Sequence, residues 1–436
     1  LDEKRPELYM AYSGLLMQRQ RYRDARLILE KGLRLAPNHP GIQNNLAWLY
    51  ATAPPPYRNP QRALELAEQA AAQQPDPYVL DTLAEAYYVN GRYEEALAAI
   101  RQAIAEQMDK LTHVSNLYHT IPQARLAQML VESCFADKVY FCNSGAESVE
   151  AAIKFARKWA KTTYGEDKTD FVAFSEAFHG RTLGSLALTP RPHYQDPFRP
   201  LMPGAKFATF NDLASAEALV DERTCAVIVE PVQGEGGVNL ADPVFLKGLR
   251  QLCDRKGALL IFDEVQCGLG RTGTLWAHEP YGIKPDIMTL AKPLGGGLPI
   301  GATLLTQAVA DTIKPGDHGS TFAANPVVCS AAQVVFKKIS NPDFLAHVRY
   351  MGSYLYEDLL ELQHKYSFIQ EIRGRGLIWG IATNLDVGPA VQACQENGLL
   401  TCKAGNQVLR LLPPLVVQCQ DIDEAVAILD KAFARL

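Results

Sequence analysis

Between about residue 111 and residue 305 the chain alternates short, wholly apolar runs with longer helix-patterned stretches, and that alternation admits few folds. The runs are residues 139–142, 171–174, 225–229, 259–262, 287–290 and 302–305, separated by helical stretches such as 147–160 and 243–256. A run that is apolar at successive positions has no side to turn toward water, so each predicts a strand buried on both faces. Strands alternating with helices predict an α/β, doubly wound and mostly parallel sheet. Ligands of such sheets bind outside the carboxyl ends of the strands. Two of these ends carry charge: the run 259–262 leads into Asp263, and Lys292 follows closely on 287–290. From about residue 341 the pattern changes again. A helix over 350–365, strands over 377–382 and 408–412 and a last helix over 422–436 predict a small α+β domain.

The first hundred residues read differently. Tyr22-Arg-Asp-Ala-Arg-Leu-Ile-Leu-Glu30, Pro60-Gln-Arg-Ala-Leu-Glu-Leu-Ala67 and Tyr93-Glu-Glu-Ala-Leu-Ala-Ala-Ile100 are variants of one amphipathic pattern. Each follows another helical stretch, 8–18, 42–51 and 78–89. Ala25, Ala63 and Ala96 occupy equivalent slots, 38 and 33 residues apart, and the longer interval holds the extra loop Ala53-Pro-Pro-Pro-Tyr57. Small residues there let paired helices approach closely, and proline-bearing joints separate the pairs. The stretch resembles three tetratricopeptide repeats, an all-α array that presents a groove to a peptide or protein partner; a plain helical bundle is the alternative. The expected domains are therefore residues 1–107, 108–340 and 341–436.

Composition narrows the function classes. A formal charge of −5 offers no basic field for nucleic acid or an acidic membrane. The nine cysteines are scattered with no C-x-x-C pair, which predicts reduced thiols in a cytoplasmic protein and no metal site. No apolar stretch approaches a membrane span, and the charged start Leu1-Asp-Glu-Lys-Arg5 is not a signal peptide. A first residue of Leu rather than Met is expected where the natural N-terminus is missing.

An amine and a carboxylate on two such strand ends suit pyridoxal phosphate. The amine, Lys292, forms the covalent link, and the carboxylate, Asp263, keeps the pyridine nitrogen protonated. Either residue alone reads as a surface lysine in a glycine-rich turn or a strand-end acid capping a helix. Asn143-Ser-Gly-Ala-Glu147 follows the first strand and opens a helix, where free N–H groups and a hydroxyl suit a phosphate; Ser144 and Glu147 also make a capping box. In Phe178-His-Gly-Arg-Thr182, Phe178 can stack on a ring and Arg181 can grip a carboxylate, or they are a core aromatic and a surface ion-pair partner.

Taken in order, Ser144-Gly-Ala146, Phe178-His-Gly-Arg181, Val229-Glu-Pro-Val-Gln-Gly-Glu235, Asp263-Glu-Val-Gln266, Thr289-Leu-Ala-Lys292 and His318-Gly-Ser-Thr321 resemble the signature set of class III, fold-type I aminotransferases. Leu111-Thr-His-Val-Ser-Asn-Leu-Tyr118 and Ile121-Pro-Gln123 are most similar to the acetylornithine branch. The resemblance implies that Lys292 carries the cofactor and shuttles a proton, Asp263 pairs with the ring nitrogen, and Gln266 bonds the phenolic oxygen. It implies that Phe178 stacks on the ring, and that Ser144, Gly145 and Ala146 cradle the phosphate with Thr321 from a second subunit of a homodimer. Arg181 and Arg410 are implied as grips for substrate carboxylates, with Glu235 masking Arg410 when a terminal amine must enter. The reaction implied is transfer from N-acetylornithine to 2-oxoglutarate, in arginine biosynthesis. Ornithine, succinylornithine and 4-aminobutyrate are the neighbouring donors, and a repeat-based interaction protein with an inactive body is the non-enzymatic alternative. The family's N-terminal stretch, with its Tyr-Leu-Asp and Leu-Gly-His-x-His-Pro motifs, is not found before Lys110-Leu-Thr-His113. A weaker dimer and a weakened acceptor half-reaction are the expected consequences.

Overall fold

The computed structural model describes residues 5–90, 93–115 and 117–436. The chain forms two compact units, one of Leu1–Val114 with Thr120–Gln123 and Asn325–Val334, the other of the remaining residues.

The first unit is built on six helices: α1 (Pro6–Gln18), α2 (Tyr22–Leu35), α3 (Pro40–Thr52), α4 (Pro60–Gln73), α5 (Pro77–Val89) and α6 (Tyr93–Lys110). Proline opens α1, α3, α4 and α5, where its fixed φ suits the first turn and no N–H is needed. Side chains cap the starts: Asn59 accepts from the Arg62 N–H, and Asp76 from those of Tyr78 and Val79. Each helix packs on the next, and α1 also packs on α3 and α3 on α5. Ala25 and Ala63 are fully buried at the slots their spacing marked, among Leu29, Ile42, Leu46, Leu66 and Leu80. Each of those larger side chains contributes about 1.5–3 kcal/mol by leaving water. The side chain of Ala96, the third slot, lies outside the described residues.

The second unit holds a seven-stranded sheet of β1 (Lys138–Cys142), β2 (Asp170–Phe174), β3 (Ala205–Ala208), β4 (Thr224–Val229), β5 (Leu259–Asp263), β6 (Ile287–Leu290) and β7 (Gly301–Leu305). Their spatial order is β1-β7-β6-β5-β4-β2-β3. The sheet is mostly parallel; β7 alone runs against its two neighbours, β1 and β6. The alternation of side chains across each strand splits the core in two. Phe171, Ala226, Ile228 and Ile261 pack under the long helix α7 (Gly145–Tyr164), with Ala152 and Phe155. Val172, Phe174, Val227, Leu260 and Phe262 pack on the other face with Phe245 and Leu249 of α8 (Pro243–Lys256).

The same directionality brings the carboxyl ends of β1, β2, β4, β5 and β6 to one edge, with the start of β7. A short hairpin, Val232–Gln233 against Asn239–Leu240, follows β4 there. After α9 (Pro342–Lys365) comes a four-stranded sheet of β8 (Ile369–Arg375), β9 (Ile378–Thr383), β10 (Cys402–Lys403) and β11 (Val408–Leu411), in the order β8-β9-β11-β10. The last helix, α10 (Cys419–Phe433), packs on α9.

Candidate active site

A cavity of about 430 Å³ opens at the shared edge of strand ends. It is lined by Ser144, Gly145 and Ala146 after β1, Phe178 and Arg181 after β2, Glu230 and Glu235 after β4, Asp263 and Gln266 at β5, and Lys292 after β6. Nine of the eleven residues expected from the sequence therefore meet at one place. Arg410, on β11, joins them through Glu235; Thr321 does not line this cavity, and is exposed.

Lys292 stands in strained backbone, with φ +28° at the start of a single 3₁₀ turn. A non-glycine residue costs energy there, and such strain collects at working sites. The side chain opens onto the solvent of the cavity yet is crowded by protein. That crowding lowers the amine's pKa first of all; the carboxylates of Glu235, Asp263 and Glu230 pull it back up, while Arg410 lowers it further. The net shift is downward, toward a free amine.

Asp263 is held on all sides. Its Oδ1 accepts from the Val265 N–H at 3.1 Å and the Thr289 hydroxyl at 3.0 Å, and its Oδ2 accepts from His179 Nδ1 at 2.8 Å. His179 is fully enclosed, and its Nε2 has no partner among the described residues. Burial works against its charge, but the Asp263 hydrogen bond and the charges of Asp263 and Glu230 prevail and raise its pKa. The cavity thus holds a carboxylate locked in position by an imidazole behind it.

Glu230 is a second buried carboxyl, accepting from the Phe178 N–H at 3.0 Å. Desolvation, helped by the charge of Asp263, pushes its pKa up to about 7 against the pull of His179, that backbone bond and Lys292. A carboxyl whose folded pKa lies above its unfolded one stabilises the fold through its proton below the unfolded value. That contribution is lost as pH rises from about 4.5 toward 7. Glu230→Gln keeps an acceptor for Phe178 without ionising. Its melting temperature relative to the parent is expected to climb between pH 5 and pH 8; a flat difference across that range would show that Glu230 carries no such penalty.

At the cavity floor, α7 begins with Ser144 as its N-cap, accepting from the Glu147 N–H at 3.2 Å. The N–H groups of Gly145 and Ala146 belong to the first turn, which has no intrahelical acceptors to give them. Gly145 is required by packing, since a Cβ there would stand 2.7 Å from Val265 Cγ1. Gly301 is required too, because its Cβ would meet the Ser144 carbonyl at 2.5 Å.

Arg410 Nη1 donates to Glu235 Oε1 at 2.7 Å, to the Gly234 carbonyl at 2.7 Å and to Gln266 Oε1 at 3.0 Å. Burial opposes the charges of both partners, but their attraction prevails: Glu235 is held below its usual range and Arg410 above. Arg181 lies exposed at the mouth, its guanidinium 3.4 Å from the centre of the Tyr194 ring and 5.6 Å from that of Phe178. Sequence reasoning missed the parts played by His179, Glu230 and Tyr194. The first two sit inside quoted motifs, but what each touches depends on a strand end 84 or 52 residues away.

The donor set fits pyridoxal phosphate group by group: an amine for its aldehyde, a fixed carboxylate for its ring nitrogen, a helix N-terminus for its phosphate and an aromatic face for its ring. Known proteins agree. A family model described as aminotransferase class-III matches residues 79–433. The mitochondrial acetylornithine aminotransferase of Alnus glutinosa is 53% identical over 333 residues, covering 75% of this chain and 74% of its own length. The acetylornithine aminotransferase of Methanocaldococcus jannaschii is 47% identical over 77% of this chain and 84% of its own. A succinylornithine transaminase of Yersinia pestis is also 47% identical, over 76% and 82%. Among solved structures, the ornithine aminotransferase of Toxoplasma gondii ME49 superimposes with a TM-score of 0.74 at 33% identity, over 77% of this chain and 82% of that one. Another structure of the Toxoplasma enzyme is described with partial occupancy of PLP at the active site. The N-acetylornithine aminotransferase of Stenotrophomonas maltophilia gives a TM-score of 0.67 at 36% identity, over 77% and 85%. With the matched family spanning most of the chain and the cavity furnished for its cofactor, this protein belongs to the class III, pyridoxal phosphate-dependent aminotransferases.

Proposed function

We propose that the chain moves the terminal amino group of N-acetylornithine to 2-oxoglutarate, giving N-acetylglutamate semialdehyde and glutamate, as a step of arginine biosynthesis. The observation that carries this reading is the Arg410–Glu235 ion pair beside a cavity that also bears Arg181. An enzyme that alternates between two amino donors must accommodate a dicarboxylate in one half-reaction and a terminal amine in the other. Arg181 serves a carboxylate in both. Arg410 serves the α-carboxylate of glutamate, and Glu235 covers it when the terminal amine enters.

When bound, pyridoxal phosphate supplies an electrophilic aldehyde and a ring that stabilises negative charge on the adjacent substrate carbon. The residues do the rest. Lys292 would hold the group covalently and would carry the proton to and from that carbon; its lowered pKa favours the free amine this requires. Asp263, fixed by His179, would pair with the ring nitrogen. Gly145, Ala146 and Ser144 would receive the phosphate at the start of α7, Phe178 would back the ring, and Gln266 would bond the phenolic oxygen. Gln266 also donates toward Glu235 at 3.4 Å and accepts from Arg410, which ties the cofactor side of the cavity to the substrate side.

This reading extends to the assembly. Thr321 serves the phosphate of a neighbouring subunit in a homodimer, in a cytoplasmic enzyme with domains at 1–107, 108–340 and 341–436. The stacking of α1 on α3 and α3 on α5, with Ala25 and Ala63 buried, supports three tetratricopeptide-like repeats that take a peptide or protein partner. Among the described residues no helix is long and apolar enough to cross a membrane, and no cluster of metal ligands occurs.

Substrate choice is tested by mixing the holoenzyme with N-acetylornithine, succinylornithine, ornithine and 4-aminobutyrate and following the cofactor's visible band. N-acetylornithine is expected to react fastest. A faster half-reaction with 4-aminobutyrate would overturn the acetylornithine assignment while leaving the reaction class intact.

A further inference from the structure

Arg410 sits on β11 between two cross-strand neighbours. On one side its partner is Gly380 of β9, which has no side chain; on the other it is Cys402 of the edge strand β10. Gly380 is fixed by crowding, since a Cβ there would stand 3.0 Å from Val238 Cβ and 3.1 Å from Val408 Cγ1. Directly paired residues on adjacent strands hold their side chains side by side. Cys402 is thus the one side chain within the sheet that flanks the guanidinium from a paired position. The contact is made: Arg410 Nε and Nη2 both donate to Cys402 Sγ, at 3.4 and 3.2 Å.

The guanidinium is therefore divided into two edges. Nη1 is committed to Glu235, Gly234 and Gln266, while the Nε–Nη2 edge rests on a thiol. A thiol is a weak acceptor, so it orients this edge while holding it less tightly than a carboxylate would. When Glu235 withdraws, Arg410 keeps one anchor on its far edge and presents its full charge on the edge facing the substrate. A carboxylate can then bind the Nη1–Nη2 pair end-on.

We infer that Cys402 is the positioning residue of the dual-substrate switch, holding Arg410 in register for an incoming α-carboxylate while Glu235 moves away. This rests on the reading of Arg410 as the α-carboxylate grip. Cys402→Val fills similar space without an acceptor, and Cys402→Asp places a permanent negative charge on the same edge.

Two readouts are set against each other in the holoenzyme. The first is the affinity for glutarate, a dicarboxylate that cannot react, measured by calorimetry. The second is the single-turnover rate with glutamate and with N-acetylornithine. For Cys402→Val, glutarate affinity and apparent glutamate affinity are expected to fall about tenfold, the loss of two weak bonds from a charged group to the thiol. The N-acetylornithine half-reaction is expected to stay within about twofold, because Arg410 is masked during it. Cys402→Asp is expected to lose glutamate and glutarate by about a hundredfold, since the guanidinium is then neutralised from both edges.

Arg410→Met separates the two ways of failing. If Arg410→Met loses glutarate and Cys402→Val binds it like the parent, the thiol only fills space and the inference is overturned, while the grip assignment stands. If Arg410→Met itself binds glutarate and uses glutamate unchanged, the grip assignment falls and takes the inference with it. Equal losses in both half-reactions for Cys402→Val would mark general disturbance of the small sheet and would also overturn the proposal.

Discussion

A Lys292→Ala variant will fold and keep its cavity, yet turnover with N-acetylornithine and 2-oxoglutarate will fall by roughly 10³-fold or more, since one side chain removes both the covalent attachment and the proton carrier. The strain at φ +28° is relieved little by alanine, which dislikes that region almost as much as lysine. The loss is therefore chemical rather than structural. Added small amines are expected to restore part of the proton transfer, because the space left by the side chain opens onto the cavity. Steady-state rates with and without methylamine, alongside an unchanged melting temperature of the cofactor-free protein, check this. Turnover within tenfold of the parent would remove Lys292 from the mechanism.

The second large effect is expected at Asp263. Asp263→Asn preserves shape and still accepts from Val265 and Thr289, but it deletes the charge and turns an amide N–H toward His179. His179 then faces a donor on Nδ1 while Nε2 already lacks a partner, so the imidazole must change tautomer within a fully enclosed site. Without a fixed negative charge the ring nitrogen loses its proton, and the carbanion-stabilising capacity goes with it. A loss of about 10²–10³-fold in kcat, equivalent to about 3–4 kcal/mol of barrier, is the expected scale. The covalent attachment at Lys292 should persist, and this separates the variant from Lys292→Ala. A kcat within threefold of the parent would show that the ring works without its acid partner.

Much of this was legible in the sequence because burial on both faces leaves an unambiguous mark. The six apolar runs became strands whose bounds shift by a residue at most, and the N-terminal region is helical, with Ala25 and Ala63 in its core. What escaped lacked that mark. β3 is four residues long, and Lys206 interrupts it. β8 reads Ile-Gln-Glu-Ile-Arg-Gly-Arg because it forms the edge of its sheet and shows most of its length to solvent. β10 is two residues long and exists through its pairing with β11.

The site divides in the same way. Lys292, Asp263 and the start of α7 announce themselves by standing at strand ends. The His179–Asp263 lock and the raised Glu230 need contacts across the sheet, and Cys402 acquires meaning only when the register sets it opposite Arg410. Thr321 stands apart, since its expected service is to a neighbouring subunit, and within its own subunit it does not line the cavity.

The proposed chemistry depends on Lys292 being the residue that holds the cofactor. Borohydride reduction of the holoenzyme, followed by digestion and mass mapping of the modified peptide, reads that directly. The predicted result is one modified peptide, the one containing Lys292, with its label prevented by prior saturation with N-acetylornithine. Modification of a different lysine, or a cofactor lost on denaturation after reduction, would contradict it.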